Sequence, residues 1–112
     1  MPAPRVRSAL WVEAHIRRCR AAGLDAYLRR RGDADAGAVF LKIAALDGTA
    51  RVLSQTIDET GERAWLAATG RAPVADAAAE AYLARQIKRD PDVFIVEIED
   101  RDGRHALDEP VI

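Results

Sequence analysis

Apolar residues recur with two different periods along the first third of the chain, and the change of period marks the elements. From Ser8 to about Ala22, the positions Val12, Ile16, Cys19 and Gly23 fall at i, i+4, i+7 and i+11, the stripe of an amphipathic helix with Ser8 as its expected N-cap. Trp11 and His15 flank that stripe, and Gly23 ends the helix. Residues 25–31 alternate instead, with Ala26 and Leu28 against Tyr27 and Arg29, which predicts a short half-exposed strand that turns at residues 32–37. Residues 38–46 predict a second strand, with Val39, Leu41 and Ile43 on one face and Phe40 and Lys42 on the other. Asp47-Gly48 reads as a two-residue hairpin turn, which would set Ile43 opposite Val52 and Lys42 opposite Leu53 in a strand over about 50–57.

Further along, 58–62 is a turn and 63–68 a short fourth strand carrying Trp65 and Leu66 on opposite sides. Pro73 and Asp76 announce a second helix over about 75–89, acidic at its start and basic at its end as the macrodipole favours. Residues 93–99 form the most strand-like run, with Phe94, Val96 and Ile98 facing one way and Glu97 and Glu99 the other; a second Asp-Gly turn at 102–103 would bring Leu107 opposite Ile98. No repeat and no linker rich in Gly, Pro or Ser interrupts this order. The expected architecture is an α+β fold, one domain over residues 1–112: a two-layer arrangement of a mostly antiparallel sheet of five or six strands with both helices on one face.

Composition narrows the class. The 112 residues include 49% hydrophobic positions, but 23 of these are alanine and only 32 are larger, so the core around the sheet should be thin. The balance of 17 Lys+Arg against 18 Asp+Glu excludes a globally basic nucleic-acid binder. That balance is a cancellation: residues 1–31 carry net +6 and residues 90–112 net -6, ends that could neutralise each other within one chain or between two copies. A single cysteine allows no internal disulfide, the first residues lack the apolar stretch of a signal peptide, and no apolar run has membrane-spanning length. The expectation is a cytoplasmic protein with no membrane contact.

Several long words together identify a relative. LWVEAHIRRC at 10–19, RRRGDADAGA at 29–38, LDGTA at 46–50, ARQI at 84–87 and DPDVFIVEIEDRDGRH at 90–105 resemble the domain-of-unknown-function family 1491, over nearly the full chain. The resemblance implies a small bacterial protein of alphaproteobacterial type and brings no activity with it.

The loop 32–37 has two glycines five apart, but Ala38 and Val39 stand where a phosphate-binding loop needs Lys and Ser or Thr. Asp33 and Asp35 begin like a calcium loop, yet Gly37 and Ala44 occupy later ligand positions. What remains there is a turn with two carboxylates beside Arg29 and Arg31. His15 and Cys19, four apart, supply two of the ligands zinc requires, and a third would have to come from His105 or a carboxylate. Cys19 with His15 or His105 as base is a nucleophile only if its thiol is exposed, and the stripe turns it inward. Glu97 and Glu99 share a strand face, read here as the solvated side of the sheet. The arginines with Trp11 and Tyr27 as stacking groups form a weak nucleic-acid signal.

The weak binding candidates are thus Arg29, Arg31, Asp33, Asp35, Glu97, Glu99 and His105, with no metal centre and no cofactor expected. The favoured reading is a non-enzymatic binding or protein-interaction module, with a protein partner or a second copy as its target. The alternatives are a small metal-dependent hydrolase built on Asp33/Asp35 or Glu97/Glu99 with His105, and a nucleic-acid binder.

Overall fold

The computed structural model describes residues 6–112. In chain order the elements are α1 (Ser8–Ala21), β1 (Asp25–Arg30), β2 (Val39–Ala44), β3 (Thr49–Ile57), β4 (Arg63–Ala67), β5 (Val74–Ala75), α2 (Asp76–Arg89) and β6 (Phe94–Glu99). The strands form one sheet in the order β1-β6-β2-β3-β4, with β5 added to β3; among the strands of the described residues only the β2·β6 pair is parallel. The expected α+β class, six strands and mostly antiparallel pairing are present.

The expected single helical face is not. Every residue of β2 and all but the last of β6 are buried, so both faces of these central strands need cover. On one face Val39, Leu41, Ile43, Phe94, Val96 and Ile98 pack with Trp11, Val12 and Cys19 of α1. On the other, Phe40, Val52 and Ile95 pack with Ala79 and Leu83 of α2. The sheet is therefore the middle of three layers. The reason is legible at Phe40, Val52 and Ile95, a second apolar set that one helical layer could not have covered.

Three local expectations are also corrected. The hairpin loop holds three residues, Leu46 to Gly48, closed by the Ala45 N–H donating to the Thr49 carbonyl at 3.0 Å. That shifts the register by one, so Ile43 faces Arg51 and Lys42 faces Val52. No hairpin follows β6: the Asp102-Gly103 turn is made, but residues 104–112 leave the end of β6 and cross the α1 side to β4. There Trp65 N–H donates to the Pro110 carbonyl at 2.9 Å and Ile112 N–H to the Trp65 carbonyl at 2.7 Å. Leu107 packs on the α1-side core without pairing with Ile98. Finally, the N-cap of α1 is Arg7, and the Ser8 hydroxyl instead donates to the Gly37 carbonyl at 2.6 Å.

Candidate functional site

β6 lies between β1 and β2, and this brings together charges far apart in sequence. Glu97 faces Tyr27 on one side and Lys42 on the other. The first turns of α2 lie over them and supply Asp76 and Glu80. Lys42 Nζ is 2.6 Å from Asp76 Oδ1, 2.8 Å from Glu80 Oε2 and 3.6 Å from Glu97 Oε1. Arg29 donates to both Glu80 oxygens at 2.7 and 2.8 Å and to Glu97 Oε1 at 3.1 Å. Glu97 is thus not on a solvated sheet face: its side chain is 11% exposed and that of Lys42 5%. Glu99 is half-buried at the end of β6, opposite Asp25.

The chemistry of this cluster follows from its protonation. Burial opposes the Lys42 ammonium, but hydrogen bonds to Asp76 and Glu80 and the charge of Glu97 outweigh it and hold the group above its ordinary value. The hydrogen bond from Arg29, reinforced by Lys42, lowers Glu80 to about 2. The Glu80 hydrogen bond likewise raises Arg29. These three groups stay ionised throughout the neutral range, so none is poised to exchange a proton with a substrate. The cluster is an ionic clamp that fastens α2 to the sheet.

On the α1 side, His15 and Cys19 meet the crossing tail. His15 Nε2 is 2.9 Å from the His105 carbonyl, and Cys19 Sγ is 3.9 Å from the same oxygen. His15 stacks on Trp11, with ring centroids 4.7 Å apart. Burial pushes His15 down and the Cys19 thiol up, the reverse of what a thiolate nucleophile needs. The His105 imidazole is held elsewhere, its Nδ1 accepting from the Leu107 N–H at 3.1 Å. Among the described residues, no group of three His, Cys, Asp or Glu is placed to hold a metal ion.

The loop 32–37 is spent on structure. Its Asp35 and Ala34 carbonyls accept from the Ser8 and Ala9 N–H groups at 3.3 and 2.9 Å, which satisfies donors at the start of α1. Asp33 Oδ2 accepts from the Ala36 N–H at 2.9 Å, and exposed Asp35 pairs with Arg7 at 3.5 Å. Gly32 and Gly37 lie against the Asp92 carbonyl, where a Cβ would collide with backbone.

A groove of about 350 Å³ between α1 and β1 has a different character. Ala9, Val12, Ile16, Leu28 and Phe94 line it, with Glu13, Arg17, Arg20 and Arg31 around them. A bulge at Arg29 adds one residue to β1, so Arg29 serves the clamp on the α2 side while Arg31 lines this groove on the α1 side. A second cleft of similar size, lined mainly by Ala22, Leu24, Ala106 and Leu107, lies under the tail.

The seven sequence candidates therefore do not converge. Arg29 and Glu97 meet in the clamp, Asp33 and Asp35 belong to the loop that closes α1, Arg31 lines the groove, Glu99 ends β6, and His105 sits on the tail. Sequence reading missed Lys42, Asp76 and Glu80. The available signal was a lysine inside a strand whose two faces are otherwise apolar, since such a lysine must be paired.

Comparison with known proteins places the chain. The family described as a protein of unknown function (DUF1491) matches residues 6–108. A crystal structure of a DUF1491 family protein from Caulobacter crescentus CB15 is similar at 42% identity over 96% of this chain and 100% of that one, with a TM-score of 0.86. The NMR structure of a DUF1491 family protein from the same organism matches at 42% identity, 98% and 99% coverage and a TM-score of 0.82. A solution structure from A. tumefaciens follows at 29% identity, 95% of each chain and a TM-score of 0.78. No match is found among curated proteins.

Proposed function

The chain belongs to the DUF1491 family, a family of unknown function, and on that premise we propose that it is a non-enzymatic protein-interaction module whose contact surface is the α1–β1 groove. One observation carries the reading: Arg17, Arg20 and Arg31 gather around one apolar groove, and among the described residues none of the three forms an ion pair. Arg20 also donates to the Ala26 carbonyl, but among the described residues Arg17 and Arg31 make no hydrogen bond to the fold, and their guanidinium groups beside an apolar floor are recognition capacity. The groups the hydrolase alternative would use lie on separate parts of the molecule: Glu97 in the clamp, Asp33 and Asp35 on the loop beside α1, Glu99 at the end of β6 and His105 on the tail. No helix among the described residues is long and apolar enough to cross a membrane. A cytoplasmic setting, where a lone thiol such as Cys19 stays reduced, goes with this reading.

The test is site-directed photo-crosslinking in the native cell, with the photoreactive residue at Glu13 or Leu28 in the groove and at exposed Ala81 on α2 as the control. A discrete adduct from the two groove positions and none from Ala81 is the expected result. Equal adducts from all three, or none from the groove, would overturn the proposal.

A further inference from the structure

We infer that the groove takes an acidic peptide segment anchored by one apolar side chain, an inference that rests on the interaction-module reading above. The floor is apolar, and Leu28, 39% exposed on β1, leaves apolar surface open there. The guanidinium groups are spread along the groove. Arg31 follows β1 near the start of α1, while Arg17 and Arg20 stand about one turn apart toward the other end, where Arg20 donates to the Ala26 carbonyl at 3.0 Å. From Ala9 to Arg20 the helix rises about 16 Å at 1.5 Å per residue. That distance matches about five residues of extended chain, so carboxylates on a short segment can reach successive arginines while a side chain between them rests on Ile16 and Leu28.

The same surroundings argue against other anions. Single-stranded nucleic acid is held by aromatic side chains interleaved with basic ones. Here Trp11 is 8% exposed and stacked on His15, while Tyr27 faces Glu97 on the opposite side of the sheet. Glu13 on the rim repels carboxylates and phosphates alike, so the segment must place its acidic side chains at the arginines and its main-chain N–H groups at Glu13. In a second copy, Glu97, Asp100 and Asp108 are already bound by Arg29, Arg104 and Arg18, so three of the eight carboxylates of its acidic end are unavailable to this groove.

The experiment is an NMR titration of the intact protein with a short synthetic peptide of Glu and Asp carrying one central phenylalanine. The comparison probes are the same peptide with glycine in place of phenylalanine, oligothymidylate, and inorganic phosphate. The expected result is saturable binding with shift changes confined to residues 9–20 and 28–31. Affinity should fall about tenfold in R17E/R31E, as loss and reversal of two charge pairs implies. The size-preserving pair R17Q/R31Q should also bind more weakly, which guards against a folding defect in the first variant. Removing the phenylalanine, or making Leu28→Ser, should weaken binding about fivefold through lost apolar contact. Equal binding of all four probes, insensitivity to the arginine changes, or shifts outside the groove would overturn the inference. If groove crosslinks form in cells while the acidic probe is ignored, this inference falls and the module reading stands; if both fail, both fall.

Discussion

Lys42 shows how one residue decides the role of its neighbours. Its side chain is 5% exposed, and removing it would leave Glu97 facing apolar surroundings with only Arg29 to balance it. Breaking a buried pair from one side costs several kcal/mol, but Asp76 and Glu80 are 50% and 37% exposed and can turn to water. Lys42→Ala is therefore expected to destabilise the fold by about 2 kcal/mol in urea unfolding, and a change indistinguishable from zero would show that the clamp is ornamental. The titrating groups give a pH signature. His15 and His105 are held below their ordinary 6.5, in both cases chiefly by burial, so the unfolded chain binds protons first and their stabilisation is lost as pH falls below about 6.5. Glu80, at about 2 against an ordinary 4.5, adds a second loss between those two values. Lys42 is raised, so its contribution is complete below its ordinary 10.5 and is lost only at higher pH. Unfolding free energy should be level between about pH 7 and 8, begin to fall near 6.5 on the acid side, and fall again above about 9, where the unfolded chain gives up the Cys19 proton that burial retains in the fold. His15→Gln should flatten the first part of that decline without abolishing it, since His105 still titrates; a plateau extending to pH 4.5 in the unsubstituted protein would refute the assignment.

At the level of elements, periodicity located nearly every helix and strand, and the turns decided what it could not. The start of α1 illustrates this. Ser8 has the right chemistry for an N-cap, but its hydroxyl is drawn to Gly37 by a loop 29 residues away, whose carbonyls receive the first N–H groups. Ser8→Ala should cost about 1 kcal/mol, one hydrogen bond. Gly32→Ala should cost about 2–3 kcal/mol, because its Cβ would meet the Asp92 backbone and the loop, α1 and the approach to β6 would all have to shift. Thermal unfolding of the two variants would check the order; a Gly32 variant no worse than the Ser8 variant would show that the loop yields easily. The hairpin and the bulge follow the same logic. Asp47-Gly48 announced a turn correctly, but Leu46 joins the loop at φ 64, and that one residue moves every cross-strand partner. One extra residue at Arg29 likewise separates Arg29 from Arg31, which strict alternation would have put on one face.

Across the whole molecule, the tail 104–112 completes the α1-side layer by crossing to β4. It covers the α1 side beyond the reach of α1 and shields Trp65, which is fully buried. It also carries Asp108 to within 3.3 Å of Arg18, so that with Arg29 and Glu97 the basic and acidic ends are joined twice within one chain. The cover is imperfect: His15 Nδ1, Trp65 Nε1 and Glu109 Oε2 are buried without a hydrogen bond among the described residues. Truncation after Leu107 should remove the pairing with β4, red-shift tryptophan emission and lower the unfolding midpoint by several degrees, as about 2 kcal/mol would in a domain of this size. An unshifted spectrum would mean that Trp65 has another shield.

The sequence by itself determined the α+β class, both helices, the strands long enough to show a period, the family and the opposed charge of the two ends. All of these depend on residue spacing and identity within short windows. Tertiary structure decided that β6 inserts between β1 and β2, that the helices take opposite faces, that Glu97 belongs to a clamp with Lys42, and that Arg31 joins Arg17 and Arg20 in a groove. These depend on which strands become neighbours and on single-residue shifts of register. No local pattern encodes such choices, because they are settled only when both apolar faces of the central strands must be buried at once.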